Sequence, residues 1–456
     1  MERDGVRVWK GIPYAAPPIG ALRFRPPVPA EPWQGERDCA HAGPVAIQAR
    51  ENAMAGFSDK TVFSEDCLSL NVFAPATGSN HPVMVWIHGG AFIMGSGSVP
   101  LYSGASFAAR HDIVVVTINY RLGLFGFLYL GQEGNVGLLD QVAALRWVRD
   151  NIAAFGGDPS AVTVMGESAG AMSIAYLLAM PAARGLFQRA ILQSGAGALE
   201  PPTRDDATAV TTGVLAELGA TASTIADVPA DRIVAAQATM LRTRGLGAVA
   251  PYVDGITITS SPSAAARAGD IAKVPLLIGT NRDEWDLFDV VMPATTEIAA
   301  AQVRGRLGAD TERVRAAYRS WSDLVGDVVF RIPAIRLAEA FPGPVYMYRF
   351  DVASPAFGGR LGAAHALELP LVWNQLANPF VTLLFGGDIA PFTAIGLQMH
   401  DTWSAFIRTG VPEGGGLPRW PLYDGVRRAT LVIDRAPQGS RVIDDPGREQ
   451  RELWPA

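Results

Sequence analysis

The sequence predicts an α/β protein with a mostly parallel central sheet flanked by helices. Two observations carry this. Continuous apolar, β-branched runs recur at Val83 to Ile87 (VMVWI), Ile113 to Ile118 (IVVVTI), Val162 to Val164 and Val274 to Ile278 (VPLLI). A strand without a polar face is covered on both sides, as in parallel sheets. Between these runs lie stretches with helical spacing, the clearest from Leu138 to Phe155 (LLDQVAALRWVRDNIAAF). Strands alternating with helices specify βαβ units.

Taken in order, Val6 to Tyr14 alternates like an edge strand. The proline-rich stretch from Ala15 to Trp33 excludes helix and central strand, and is expected to wrap over the surface. Leu68 to Phe73 reads as a strand closed by Pro75. Gly156-Gly157 stops the Leu138–Phe155 helix, and Asp158-Pro159 leads into the strand at Val162. A further helix follows Gly170, and Ala190 to Leu192 is a short strand. Residues from about 201 to 250 and from 294 to 342 read as helical insertions. Val345 to Phe350 is a strand, Leu397 to Arg408 an amphipathic helix, and Gly414-Gly415-Gly416 a flexible tip. There is no internal repeat and no long linker, so residues 1–456 are expected to form one domain.

Composition excludes several classes of function. A net charge of −6 gives no electrostatic footprint for nucleic acid or an anionic membrane. No run of about 18 apolar residues is present, so no membrane span is expected. The opening Met1-Glu2-Arg3-Asp4 is charged, so no secretory signal is expected and the cytoplasm is the expected compartment. With two cysteines, Cys39 and Cys67, a disulfide framework and a four-cysteine metal site are both ruled out, and two unlinked thiols are expected.

The chain is organised around Gly166-Glu167-Ser168-Ala169-Gly170, set between a strand and an apolar helix. Such a sharp turn exposes the serine hydroxyl as a nucleophile, and side chains at the glycines would crowd the neighbouring backbone. A second turn, His88-Gly89-Gly90-Ala91-Phe92, follows the strand at Val83 and leaves backbone N–H groups free to converge on an oxygen. The N–H after the nucleophile, that of Ala169, would complete an oxyanion hole. In this arrangement the base follows the nucleophile in the chain, and only His365 and His400 do so. His400 falls within a helix, where a fixed structural or solvated role is expected, whereas His365 lies in a loop after a strand. For the acid, Asp283 and Glu284 both follow VPLLIG, and Asp254 sits at a turn; spacing does not choose between the first two.

These motifs, with KGIPYAAPP, SEDCLSLNVFAP, NYRLGLFGF, LFQRAILQSG, GTNRDE, GAAHALELP and WPLYD, run nearly end to end. Together they resemble the type-B carboxylesterases, the carboxylesterase/cholinesterase family, and most of all its bacterial para-nitrobenzyl esterases. The resemblance implies an α/β-hydrolase fold with helical insertions over the active site. It also implies a Ser168–Glu284–His365 triad and an oxyanion hole from the N–H groups of Gly90, Ala91 and Ala169. Two positions depart from the family pattern: Trp285 and Ala366 stand where glycine is usual, adding bulk beside the triad. The family often pairs the cysteine of its EDCL motif with one in a G-P-x-C-P-Q segment; here that segment is Gly43 to Gln48 and lacks a cysteine. The strand or two that usually precede KGIPY are expected to be missing.

The expected activity is hydrolysis of small-molecule carboxylic esters, with short- to medium-chain acyl or aryl groups, through an acyl-enzyme. No metal or organic cofactor is needed, no nucleic-acid or membrane partner is implied, and the protein is expected as a monomer or weak homo-oligomer. Phe92, Trp285, Phe288 and Trp373 are candidates for a substrate pocket, with core packing as the alternative. Two other readings compete. One is a non-catalytic binding member of the same family. The other is action mainly on carbamates, amides or longer-chain lipids.

Overall fold

The structure, a computed structural model, describes residues 2–50, 60–131 and 134–454. The chain divides into two compact units, Met1–Gln188 with Glu200–Ser261, and Arg189–Leu199 with Pro262–Ala456.

In the first unit the strands are β1 (Glu2–Arg3), β2 (Val6–Pro13), β3 (Val45–Ala46), β4 (Phe63–Ser64), β5 (Ser69–Pro75), β6 (His81–Ile87), β7 (Val114–Ile118) and β8 (Gly157–Glu167). β1, β2, β5 and β7 pair antiparallel in turn, then β7, β6 and β8 pair in parallel. Val85 of β6 lies opposite Val116 on one side and Val164 on the other. β2 is therefore not an edge strand, because the two-residue β1 pairs with it. Every residue of β7 is buried, which is why its sequence lacks a polar face. β3 and β4 form a separate parallel pair. Within the Ala15–Trp33 stretch the only helix or strand is one turn, Gly20–Leu22.

The helix Val136–Asn151 buries Leu138, Val142, Leu145 and Val148 along one face, the stripe expected of a helix packed on a core. It continues as a tight turn, Ile152–Phe155, which Gly156 ends at φ 86°. Asp140 on this helix is fully buried and holds Arg121. The Arg121 Nε donates to Oδ2 at 2.8 Å, Nη2 to Oδ1 at 2.6 Å and the backbone N–H to Oδ2 at 3.0 Å. Residues 201 to 250 carry the helices Arg204–Leu218 and Ala230–Arg244; a Thr203–Asp206 capping box starts the first and Gly219 ends it.

In the second unit β9 (Arg189–Gln193), β10 (Leu276–Asn281), β11 (Val345–Phe350) and β12 (Ala429–Ile433) run parallel, and β13 (Arg441–Asp444) adds antiparallel to β12. β10 begins two residues later than its apolar run, since Val274 and Pro275 precede the first paired residue. It also extends through Gly279-Thr280-Asn281. Residues 294 to 342 fall on the helices Pro293–Leu307, Thr311–Arg315, Trp321–Gly326 and Ile332–Ala340, the last two joined by a π-turn at Asp327–Arg331. The helix predicted from Leu397 starts at Ala390 and ends at Thr409, with Gly410 left-handed at φ 80°. Gly415 is not at a free tip. It is buried against that helix, where an added Cβ would overlap the backbone and side chain of Thr402.

Cys39 and Cys67 are unlinked, and Cys67 is buried. Removing one partner of a buried ion pair strands the other charge. Asp140→Ala is therefore expected to lower stability by about 3–5 kcal/mol, read as an earlier midpoint in chemical denaturation. Combining Asp140→Leu with Arg121→Met should recover part of that loss, because the double variant leaves no buried charge unpaired.

Candidate active site

The last residue of β8 is Glu167, and the helix Ala169–Ala179 begins two residues later. Ser168 makes the turn with φ 55° and ψ −124°, and its side chain makes no capping bond to the helix. A non-glycine residue held in this region costs about 1–3 kcal/mol and persists only where its surroundings over-determine it. They do so here. A Cβ on Gly170 would overlap the Ile87 carbonyl of β6, and one on Gly89 would lie 3.1 Å from the Ser168 Cβ. The glycines thus let the loop after β6 lie directly against the serine turn.

That loop is itself wound through positive φ, at 112° for Gly90, 53° for Ala91 and 62° for Phe92. The Gly90 carbonyl accepts from the N–H groups of Ile93 and Met94, both at 3.0 Å. Among the described residues of this unit, the N–H groups of Gly90, Ala91 and Ala169 find no protein acceptor. Two residues that sequence reasoning passed over brace the loop. Gln48 donates to Gly95 O at 3.0 Å and accepts from Gly95 N–H at 2.8 Å, and Asn119 Oδ1 accepts from Ser96 Oγ and Gly97 N–H, both at 2.9 Å. The buried Glu167 side chain lies beneath Gly89, where an added Cβ would come within 2.8 Å of its Oε2. His88 is buried, stacks on Tyr120 at 4.6 Å and contacts its neighbour's carbonyl, Gly89 O, through Nδ1 at 2.8 Å. Burial lowers its pKa to about 4, so it stays neutral.

In the second unit the structure brings Glu284 and His365 together. Both are buried. Glu284 Oε2 accepts from His365 Nδ1 at 2.7 Å, and Oε1 accepts from the Asn281 N–H at 2.8 Å. A carboxylate only accepts, so Nδ1 carries the proton and Nε2 keeps its lone pair for proton transfer. Asp283, the alternative from sequence, is engaged elsewhere. It accepts from Arg282, from Arg319 Nη2 at 2.8 Å and from the Ala363 N–H at 2.8 Å. Burial opposes its ionisation, but these donors outweigh it and hold the carboxyl below its usual range. Asp254 accepts from the Ile256 and Ile258 N–H groups, both at 2.9 Å, as a turn carboxylate does. His400 is fully buried on its helix, with Nδ1 bonded to Val372 O at 2.7 Å.

The imidazole of His365 lies between aromatic rings, Phe330 at 4.6 Å and Phe288 at 5.3 Å. Trp285 packs at a tilt against Phe288, with ring centroids 4.6 Å apart, and donates its indole N–H to Thr296 Oγ1 at 3.0 Å. The indole in place of the usual glycine is therefore part of the histidine's aromatic wall. Phe330 was not legible in the sequence, because it reaches the histidine from the π-turn at Asp327–Arg331. Trp373 is wholly buried and offers no surface to a ligand, so it is a core residue. Phe92 is also buried and packs edge-on against Phe127 at 5.1 Å. A cavity of about 340 Å³ with a mixed polar and apolar lining borders the helix that carries Phe288. Its walls include Asp286, Asp289, Thr296, Trp321 and Arg360. Ala366 adopts φ 64°, so the methyl at this second departure adds backbone strain beside the histidine.

A serine on a strand-to-helix elbow and a carboxylate-bound imidazole after later strands of a parallel sheet are the parts of an α/β-hydrolase. The profile of the Carboxylesterase family matches residues 1–304 and 295–454. The para-nitrobenzyl esterase of Bacillus subtilis (strain 168) is 40% identical over 99% of this chain and 96% of its own. The phenmedipham hydrolase of Pseudarthrobacter oxydans is 37% identical over 98% and 94%. A solved PNB esterase structure superposes with a TM-score of 0.92 at 39% identity, covering 100% of this chain and 97% of that one. The chain belongs to the carboxylesterase family: it has the α/β-hydrolase fold and is a carboxylic ester hydrolase. Among the described residues no helix is long and apolar enough to cross a membrane.

Two outcomes follow from the local geometry. Ala366→Gly removes the strained methyl and should raise stability by up to about 1 kcal/mol, read from the denaturation midpoint. The unfolded chain protonates His88 near its ordinary value, whereas the folded protein resists until about pH 4. Acidification through that window therefore favours unfolding. A His88→Gln variant should lose less stability than the parent between about pH 6.5 and 4.

Proposed function

We propose that this protein is a serine carboxylesterase that cleaves small esters, with short- to medium-chain acyl or aryl groups, through an acyl-enzyme. Ser168 is the nucleophile, His365 the base and Glu284 the acid. The N–H groups of Gly90, Ala91 and Ala169 form the oxyanion hole. The observation that carries the assignment is the 2.7 Å contact between Glu284 Oε2 and His365 Nδ1, which leaves Nε2 basic.

In the first half-reaction Nε2 takes the Ser168 proton as Oγ bonds to the ester carbonyl carbon. The negative oxygen is held by the three N–H groups, each contributing about 3 kcal/mol to the transition state. Glu284 stabilises the imidazolium without itself taking the proton. The tetrahedral species collapses, the C–O bond to the alcohol breaks, and the imidazolium protonates the departing oxygen. Water then attacks the acyl-enzyme by the same route, giving the acid and restoring Ser168. The unlinked Cys39 and Cys67 support action in a reducing, cytoplasmic compartment, as a monomer or weak homo-oligomer.

The relative from Bacillus subtilis is named for para-nitrobenzyl esters, so such an ester is the first substrate to try, followed by p-nitrophenyl esters of increasing acyl length. Ser168→Ala is expected to abolish turnover, with a loss of about 10⁴-fold or more. Glu284→Gln should cost about 10⁴-fold by favouring the wrong imidazole tautomer, and Asp283→Asn far less. Rates should fall steeply beyond medium chains. Full activity in Ser168→Ala would sink the mechanism, and a larger loss in Asp283→Asn than in Glu284→Gln would reassign the acid.

A further inference from the structure

We propose that Asn281, the last residue of β10, is the positioning residue of the acid–base pair; this rests on the roles of Glu284 and His365 given above. Its backbone N–H holds Glu284 Oε1 at 2.8 Å. Its side-chain nitrogen uses both protons, one on the Ala364 carbonyl and one on Glu368 Oε2, each at 2.7 Å. These contacts lie one residue before and three residues after His365. One residue, through its backbone N–H and its side-chain amide, therefore ties the acid and both flanks of the histidine loop to the end of a buried strand.

The residue type follows from the partners. A carbonyl and a carboxylate only accept, so the group between them must present two donors from one atom. A neutral primary amide does this, which also fixes the orientation of the side chain. An aspartate there would face two acceptors with none of its own protons. A serine would satisfy only one of them. Asn281 is buried, so no bulk water would make up the missing bond. Glu368 is anchored at its other oxygen by Gln193 Nε2 at 3.0 Å. The loop needs such a clamp. Ala366 in the middle of it is held at φ 64°; the Asp283–Ala363 bonds and the His365 N–H on the Glu284 carbonyl at 3.3 Å secure the side before Ala366, and Glu368 lies on the side beyond it. A histidine that drifts by about 1 Å loses on the order of 10²-fold in rate.

The test uses the full-length enzyme with Asn281→Asp and Asn281→Ser, assayed on p-nitrophenyl acetate, with kcat taken per folded molecule from a denaturation curve. For Asn281→Asp we expect kcat to fall about 10²-fold with KM little changed. The acid limb of kcat/KM should move to higher pH, because the new carboxylate stabilises the imidazolium. Asn281→Ser, which keeps one donor and adds no charge, should lose about tenfold with the limb in place. A merely structural role would lower the melting temperature and leave kcat per folded molecule and the acid limb as in the parent, and that result in both variants overturns the proposal. His365→Ala separates the two levels. Parent-like activity in His365→Ala removes the reading on which the proposal rests. An inactive His365→Ala beside parent-like Asn281 variants removes the proposal alone.

Discussion

The constraint on which the nucleophile's setting depends is the close approach of the serine turn to the loop that follows β6. Ser168 holds a backbone conformation that costs about 1–3 kcal/mol, and nothing in its own side chain offsets this. The conformation persists because β6 and β8 are buried, hydrogen-bonded neighbours, with Ile87 opposite Gly166. Gly170 then presses on the Ile87 carbonyl with no Cβ between them. One backbone contact thereby sets the serine on its turn, the start of the helix behind it and the path of the Gly90–Phe92 loop. Strain in that loop has the same origin, since consecutive positive φ angles at Gly90, Ala91 and Phe92 are tolerated only against a rigid wall.

The second unit meets a different difficulty, that of keeping charges buried without leaving them unsatisfied. Burying a carboxylate is costly unless its lone pairs find donors. Glu284 takes one from the backbone and one from the imidazole, Asp283 takes arginines and the Ala363 N–H, and Glu368 takes two side-chain amides. These carboxylates form a layered support in which adjacent residues do different work. Asp283 and Glu284 are chemically near-equivalent in sequence, yet the turn after β10 aims one at arginines and the other at a histidine.

Much of this is legible in the sequence. Apolar, largely β-branched runs place β6, β7, β8 and β10, because a strand covered on both faces must lack a polar side. β12 and β13 are not legible in this way: Ala429–Ile433 sits among turn residues, and Arg441–Asp444 has no buried residue to betray it. Gly414-Gly415-Gly416 read as a tip by composition, whereas Gly415 packs on a helix through a contact that composition does not encode. Trp285 and Phe288 lie close to the motifs in sequence and also stand beside His365 or its aromatic neighbours in space. Trp373 shares that closeness in sequence, but it points into the core.

By itself the sequence determined which residue types are present and in what order. A serine between glycines at a strand-to-helix junction, a glycine-rich turn upstream and a histidine downstream could be read because backbone sterics and strand periodicity act over a few neighbouring residues. Tertiary structure alone decided which carboxylate faces His365, that Phe330 joins its aromatic wall, and that Asn281 spans acid and base. Those facts depend on side-chain direction across elements tens of residues apart, and local pattern carries no information about where a π-turn or a strand end will aim them.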